Sequence, residues 1–261
     1  MRGMRYSVAQ RWARSLAPVG AVLGMLLWYR PVPTVAPSPG RKPNPQTHRP
    51  AELYRQTEAP ALLIDLASPA PEPACSYGLE MQQLKQAMTY SEPSCRNLAV
   101  QLAGKSPGTY NLGQVCEIYD HCLAQWRYVN DPRSLEYLSA AHHSLQASYS
   151  GDCDDFAILV GTLIGAIGGD VRIQKAYQGN QGHSYCEVNL GATDKNQVLA
   201  YLKKRYPHTE KEGGKSFYFR DDETGLWMNL DWDAGYPGGS YFAAERSIAF
   251  HTQDGYCREY N

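Results

Sequence analysis

Three side chains in this sequence could together carry out nucleophilic catalysis on an acyl group: Cys153, His183 and Asp231. Cys153 stands just before an apolar run of helix length, 156–167, which a pair of glycines ends. A cysteine at a helix N-terminus lies where free backbone N–H groups and the helix dipole favour the thiolate, which is the nucleophilic form. A thiolate, an imidazole and a carboxylate are the groups that thiol acyl transfer requires.

His183 and Asp231 are expected to meet at one edge of a sheet. Residues 184–190 and 225–231 have the composition and alternation of strands. If the two strands are antiparallel neighbours, the start of the first lies beside the end of the second. Alternation places both polar side chains opposite the apolar set of their own strands. The carboxylate can then accept the imidazole N–H while the other ring nitrogen faces Cys153.

Each candidate residue has a definite role in this chemistry. We expect Cys153 to attack a carbonyl carbon and His183 to protonate the leaving amine, while Asp231 fixes the imidazole tautomer. The oxyanion would be held by the backbone N–H of Cys153 and by a second donor. Trp126 and Tyr149 are both candidates for that donor, and the sequence does not choose between them.

Acidic residues near the site allow other interpretations. Asp231 could be a turn residue, with Asp233 as the true partner of the histidine. Asp152, Asp154 and Asp155 could be read as a cation site, but carboxylates are favourable in the first turn of a helix, so we expect them to cap it. Asp155 is the one for which we expect a fixed hydrogen-bonding role.

A zinc site is the other alternative for this cluster. His183, Cys186 and Cys153 offer three soft ligands. Strand alternation places Cys186 on the face opposite His183, so the three cannot converge. We therefore expect no metal and no cofactor.

The first thirty residues, 1–30, are predicted to be a targeting segment. Four arginines precede an uncharged apolar run, 16–29, which is short of the ~20 residues that a spanning helix needs. No convincing cleavage site follows, which favours an uncleaved signal-anchor over a removed signal peptide. Basic residues before the run would keep the N-terminus cytoplasmic. We expect the rest to be exported to the cell envelope, with the membrane contacted through this segment.

Composition and cysteine content bound the remainder of the chain. With 43% hydrophobic residues and a net charge of −1, the chain can form one full core and shows no sign of a nucleic-acid partner. Residues 31–74 are a proline-rich linker with a short docking segment, and 75–261 form the folded domain. In an oxidising compartment six of the seven cysteines could pair, leaving Cys153 as the odd one, and we expect one or two disulfides.

The pattern of elements predicts an α+β domain in which N-terminal helices pack on an antiparallel sheet. Helices are predicted in the first half at 77–89, 111–129, part of 134–145 and 153–167. Strands follow at 171–178, 184–190, 216–220, 225–231 and 246–251, with a helix at 195–206 among them. The helix that Cys153 opens is apolar on nearly every side, so we expect it to be central and buried.

Three blocks of this sequence resemble the signature blocks of the transglutaminase-like superfamily, which has a papain-like core. They are GDCDDFA at 151–157, GHSYCEV at 182–188 and WMNLD at 227–231. Residues 118–132 also look like the helix and loop that precede the nucleophile in bacterial members, so the similarity spans about 112–239. The resemblance implies a Cys–His–Asp site that cleaves or transfers amide-derived acyl groups through a thioester.

Two departures from the family pattern affect the expected substrate. Ser184-Tyr185 stands where many members have a small residue and tryptophan, and Trp232-Asp233 stands where Pro-Thr is common. We predict a transglutaminase-like cysteine hydrolase or acyltransferase acting on a peptide or protein amide. Protease, amidase and transglutaminase activities use the same triad and are not separated by it. The competing class is a non-catalytic scaffold of the cell envelope that keeps the fold for binding.

Overall fold

The computed structural model of the protein describes four stretches of the chain: 62–64, 75–131, 137–207 and 216–261. The chain divides into two units, Met1–Tyr54 and Arg55–Asn261, of which the first lies outside the described residues. The predicted targeting segment, 1–30, and most of the predicted linker, 31–74, also lie outside them. Within the described stretches, no helix has both the length and the apolar character needed to cross a membrane.

The described part of the predicted docking segment is short and packs on the domain. Residues 62–64 form an antiparallel bridge with residues 110–112. The backbone N–H of Ile64 donates to the carbonyl of Tyr110 at 3.3 Å, and the Ile64 side chain is buried in the hydrophobic core.

Helices dominate the first half of the domain. Their bounds are α1 Gly78–Ala87, α2 Pro93–Ala103, α3 Leu112–Gln125, α4 Ala141–Gln146, α5 Cys153–Ala166 and α6 Lys195–Arg205. Helix α5 is the central one. Its residues from Asp154 to Ile164 are all buried, because its apolar side chains contact α2, α3 and α4 on one side and the sheet on the other.

The second half forms one six-stranded sheet in which every neighbouring pair is antiparallel. Its strands are β3 Val171–Gln178, β4 Gln181–Asn189, β5 Phe219–Asp222, β6 Gly225–Asn229, β7 Arg246–His251 and β8 Tyr256–Tyr260, in the order β5-β6-β4-β3-β7-β8. Two short strands, β1 Arg127–Tyr128 and β2 Ser150–Gly151, pair in parallel beside it. The protein is thus a mixed α+β structure.

The predicted pairing that positions the site is confirmed. Strand β4 is the antiparallel neighbour of β6, with Glu187 opposite Asn229. The predicted end of α3 at Val129 was wrong, because the chain leaves the helix at Trp126 and its next two residues pair with β2. Helix α2 and strand β8 were not predicted from the sequence.

All seven cysteines lie in the described part of the chain. Cys75 and Cys257 form the one disulfide, which joins residues 182 positions apart. Cys153 is free and half-buried, and four more free cysteines are buried: Cys95, Cys116, Cys122 and Cys186. The prediction of a disulfide was correct, but buried thiols are more numerous than the even pairing of six would allow.

Candidate active site

Cys153 is the first residue of α5, directly after its N-cap, Asp152. The cap residue has extended backbone, so the chain turns sharply into the helix at the cysteine. The first N–H groups of a helix have no intrahelical partner, and at this position they surround the sulfur with partial positive charge. Among the free cysteines, Cys153 is half-buried while the others are buried, which leaves its thiol open to a substrate.

His183 lies near the start of β4, opposite Ala176 of β3. Its Nε2 is 2.7 Å from Oδ2 of Asp231, and its side chain is 13% exposed. Burial would lower the pKa of this imidazole, but hydrogen bonds to Asp231 and to the sulfur of Cys153 outweigh burial and raise it to about 10. Because Nε2 faces the carboxylate, Nδ1 is left for the cysteine. The imidazole therefore interacts with both of the other candidate residues.

Asp231 follows the end of β6 and is held in place by several contacts. The hydroxyl of Tyr119, on α3, donates to its backbone carbonyl at 2.6 Å. Its Oδ1 accepts the backbone N–H of Asp233 at 3.1 Å, while its Oδ2 faces the imidazole of His183. Asp231 is buried and Asp233 is exposed. The histidine partner is therefore Asp231, and Asp233 only orients it.

The two candidate oxyanion donors differ in how they are engaged. The hydroxyl of Tyr149 lies 2.9 Å from Nε2 of His121, so it is already paired. The indole Nε1–H of Trp126 is buried and has no hydrogen-bond partner in the described part of the chain. Its ring contacts Phe156, one turn beyond Cys153, edge to face at 5.1 Å. Trp126 therefore offers an unused donor beside the first turn of α5.

Asp155 fixes the loop that precedes α4. Its Oδ1 accepts the backbone N–H of Ser139 at 2.7 Å, and burial raises its pKa to about 6. A side chain on Gly151 would collide with this carboxylate, so the glycine is required for the close approach. The hydrogen-bonding role that was predicted for Asp155 is therefore to hold the chain ahead of α4.

The other acidic residues do not cap the helix as predicted. Asp152 is the N-cap residue but makes no side-chain cap hydrogen bond. Burial, and then a hydrogen bond with Asp152, raise the pKa of Asp154 well above its usual range, so Asp154 keeps its proton. Carboxylate oxygens of Asp152, Asp154 and Asp155 lie within 4.8 Å of one another. The three carboxyls therefore crowd together at the start of α5, and Asp154 is held neutral there.

Cys186 does not belong to the site. It points into the core between α5 and the sheet, fully buried, and burial raises its pKa well above the usual value. The sequence placed it on the face opposite His183, and this is confirmed by the pairing of β3 with β4.

Aromatic residues that were not predicted to belong to the site lie around the three side chains. The ring centroids of Tyr128 and Trp232 are 4.7 Å apart, and burial, followed by the charge of Cys153, raises the pKa of Tyr128 to about 12. The ring of Phe242 lies 5.2 Å from that of His183. Trp232 follows Asp231 directly, and Tyr128 lies in β1 and pairs with Gly151, so the only sequence signal for these two residues was their closeness to the motif blocks.

No family model and no curated protein matches the chain. Solved structures similar to it include a candidate protease from Parabacteroides distasonis ATCC 8503, with 16% identity and a TM-score of 0.34, over 42% of this chain and 24% of that one. A candidate cysteine protease from Cytophaga hutchinsonii is 15% identical with a TM-score of 0.36, over 70% of this chain and 53% of that one. The chain thus spans about a quarter and about half of those proteins, and both TM-scores are too low to decide its function.

Proposed function

We propose that this protein is a thiol enzyme of the transglutaminase-like kind, which acts on a peptide or protein amide through a thioester on Cys153. One observation carries the proposal. The imidazole of His183 lies 2.7 Å from Asp231 and its pKa is raised by both Asp231 and Cys153, and that cysteine opens a buried helix. The sequence blocks that resemble the transglutaminase-like superfamily contain these same three residues.

The proposed reaction has two steps. Sγ of Cys153 attacks the carbonyl carbon of the amide, and the carbonyl electron pair moves to the oxygen. When the tetrahedral intermediate collapses, the C–N bond breaks and the amine leaves with the proton of His183, which gives a thioester. Water or a second amine then attacks the thioester, His183 takes its proton, and the C–S bond breaks to restore the thiolate.

Two donors support the oxyanion in this proposal. The backbone N–H of Cys153 lies at the positive end of α5, and the indole N–H of Trp126 is an unpaired buried donor. Such preorganised donors stabilise charge that develops in the transition state, because they need no reorganisation as the reaction proceeds. We assign Trp126 rather than Tyr149 to this role because the hydroxyl of Tyr149 already pairs with His121.

Alkylation of the thiol in the complete 261-residue chain tests the proposal. An unperturbed thiol is only about 1% thiolate at pH 6.5. If His183 holds the thiolate as an ion pair, iodoacetamide should label Cys153 at this pH about tenfold faster, or more, than in the H183A variant. Peptide mapping by mass spectrometry identifies the labelled residue, and Cys153→Ala removes the label.

A matched pair of variants separates the proposed site from a general electrostatic effect. D231N should slow the labelling of Cys153, whereas D233N should not, because the Asp233 side chain is exposed and only its backbone N–H contacts Asp231. Equal labelling in the native protein, H183A and D231N would instead indicate a non-catalytic scaffold. Two further assays then identify the acceptor of the acyl group. Cleavage of a peptide library indicates water, and incorporation of a fluorescent primary amine indicates an amine.

We also propose that the domain works outside the cytoplasm, held by the predicted N-terminal segment. The disulfide between Cys75 and Cys257 supports this, because such bonds persist in oxidising compartments. Acid-quenched thiol trapping in the native cells tests it. Both cysteines should be recovered oxidised, and recovery of both as free thiols would contradict an exported location.

A further inference from the structure

An open pocket of about 530 Å³ lies between α1 and the end of β3. Glu80 and Gln83 of α1 line one wall, Lys175 and Tyr177 of β3 line another, and the loop ahead of α4 closes the third with Leu138. Its volume falls in the ~300–1,000 Å³ range of ligand sites.

The pocket lies on the helical face of the sheet. Lys175 and Tyr177 are in register with Ser184 and Gly182, the two residues that flank His183 on β4. Their side chains point to the helical face of the sheet, where α5 begins. The loop wall is fixed to the same helix, because the N–H of Ser139, next to Leu138, donates to Asp155 two residues beyond the cysteine. None of the three candidate site residues lines the pocket, which lies on the face of the sheet opposite the His183 side chain.

Lys175 is the group in this pocket whose bonding is incomplete. Its side chain is only 11% exposed, and within the described residues its ammonium forms a single ion pair, at 3.9 Å to Oε1 of Glu80. That distance is too long for a hydrogen bond, and no described residue supplies another acceptor. An ammonium has three N–H donors, and burying them without acceptors costs free energy. The group is thus prepared to bind an oxygen anion from outside.

Glu80 does not satisfy the hydrogen-bonding capacity of the Lys175 ammonium. Its side chain is 36% exposed, so its contact with Lys175 is screened by water and contributes little. It can turn towards solvent when a stronger acceptor arrives. A ligand carboxylate in the pocket would form the short, charge-assisted hydrogen bond that Glu80 does not. The tyrosine ring of Tyr177 and the side chain of Leu138 offer apolar surface for the ligand's carbon atoms.

We propose that this pocket is a separate binding site for a small carboxylate ligand, such as the free carboxyl terminus of a peptide, which pairs with Lys175. The binding of the carboxylate does not depend on catalysis, and it is tested separately.

The test is calorimetric titration of the complete chain carrying Cys153→Ala with two probes, N-acetyl-dialanine and its carboxamide. They differ only in the terminal carboxylate. The acid should bind about tenfold more tightly than the amide, as expected for one charge-assisted contact. K175M should abolish this preference, and K175R should retain part of it. E80Q should increase it, because the competing carboxylate has been removed.

K203M is the matched control, since Lys203 is an exposed lysine on α6, and it should leave the preference unchanged. Equal binding of acid and amide, or a preference that survives in K175M, overturns the proposal. Should K175M fail to fold by circular dichroism, the opposite effects expected of K175R and E80Q still decide it. Because the thiol is absent, failure here leaves the alkylation of Cys153 untouched, and unreactive Cys153 leaves this binding result untouched.

Discussion

The imidazole of His183 has two acidic neighbours, and both favour its charged form. Its pKa of about 10 is far above the ~6.5 of a free imidazole, although burial acts in the opposite direction. Proton binding therefore stabilises the folded state. This contribution is complete below about pH 6.5 and is lost as the pH rises through about 10. The ion pair proposed for catalysis has the same upper limit.

Replacing the Asp231 carboxylate by an amide tests its effect on the pKa of His183. In D231N the imidazole loses its strongest hydrogen-bond acceptor, so its pKa should fall well below the value of about 10 in the native protein. NMR titration of the His183 ring protons measures both values. An unchanged titration in D231N would show that Asp231 does not control the proton.

The three central residues could be found from sequence because each lies in a short block with a recognisable pattern. The choice between Asp231 and Asp233 required the geometry, because a two-residue difference at a strand end depends on where pairing stops. The choice between Trp126 and Tyr149 required their partners. The pocket at Lys175 could not have been found, because only the packing of α1 against β3 forms it.

At the scale of elements, α5 carries the nucleophile and also forms the centre of the core. Its glycines mark where neighbours come close. A methyl group on Gly165 would overlap the ring of Tyr90, whose hydroxyl is bonded to Thr252 at 2.8 Å. A methyl group on Gly161 meets mainly the flexible end of Met88, at 2.8 Å. The side chain next to Gly161 can therefore move aside more easily than the ring next to Gly165.

This difference can be measured by urea unfolding. G165A should lower the free energy of unfolding by about 1–3 kcal/mol, because a ring fixed by a hydrogen bond must move. G161A should have a small net effect, since the gain in helix propensity of up to about 1 kcal/mol offsets the shift of a flexible side chain. Equal destabilisation by the two substitutions would contradict this account of the packing.

Elements with strong periodicity were predicted well, and those with local signals only were missed. Strands β3 and β7 have the predicted bounds, and apolar residues recur at every second position in part of each strand, at Val171 and Ile173 in β3 and at Ile248 and Phe250 in β7. Helix α2 begins at Pro93 after the N-cap Glu92, a start signal that was present but not used. Strand β8 follows Asp254-Gly255, a hairpin signal, but its polar edge composition hides the alternation. No local sequence pattern indicated that the two residues of β1, just after α3, pair with β2.

At the scale of the molecule, one disulfide connects the chain just ahead of α1 with the last strand, β8. The bond between Cys75 and Cys257 spans a separation of 182 residues, so it restricts the unfolded chain over almost the whole domain. Removing a native disulfide typically costs about 2–5 kcal/mol.

Reduction should therefore lower the unfolding midpoint without changing the native fold. We expect C75A/C257A to unfold at lower urea concentration than the native chain, and dithiothreitol to have the same effect on the native chain but none on the double variant. C153A should respond to dithiothreitol as the native chain does, since Cys153 lies outside the bond. A midpoint that is insensitive to reduction would contradict the contribution of the bond.

The four buried thiols can report on local unfolding of the domain. Cys95 lies on α2, Cys116 and Cys122 on α3, and Cys186 on β4, and none is accessible in the closed state. Each can be modified only when its own element opens, so the order in which they react in slow exchange would rank helices against sheet by local unfolding free energy. The native cysteines can therefore report the local stability of α2, α3 and β4 without any added label.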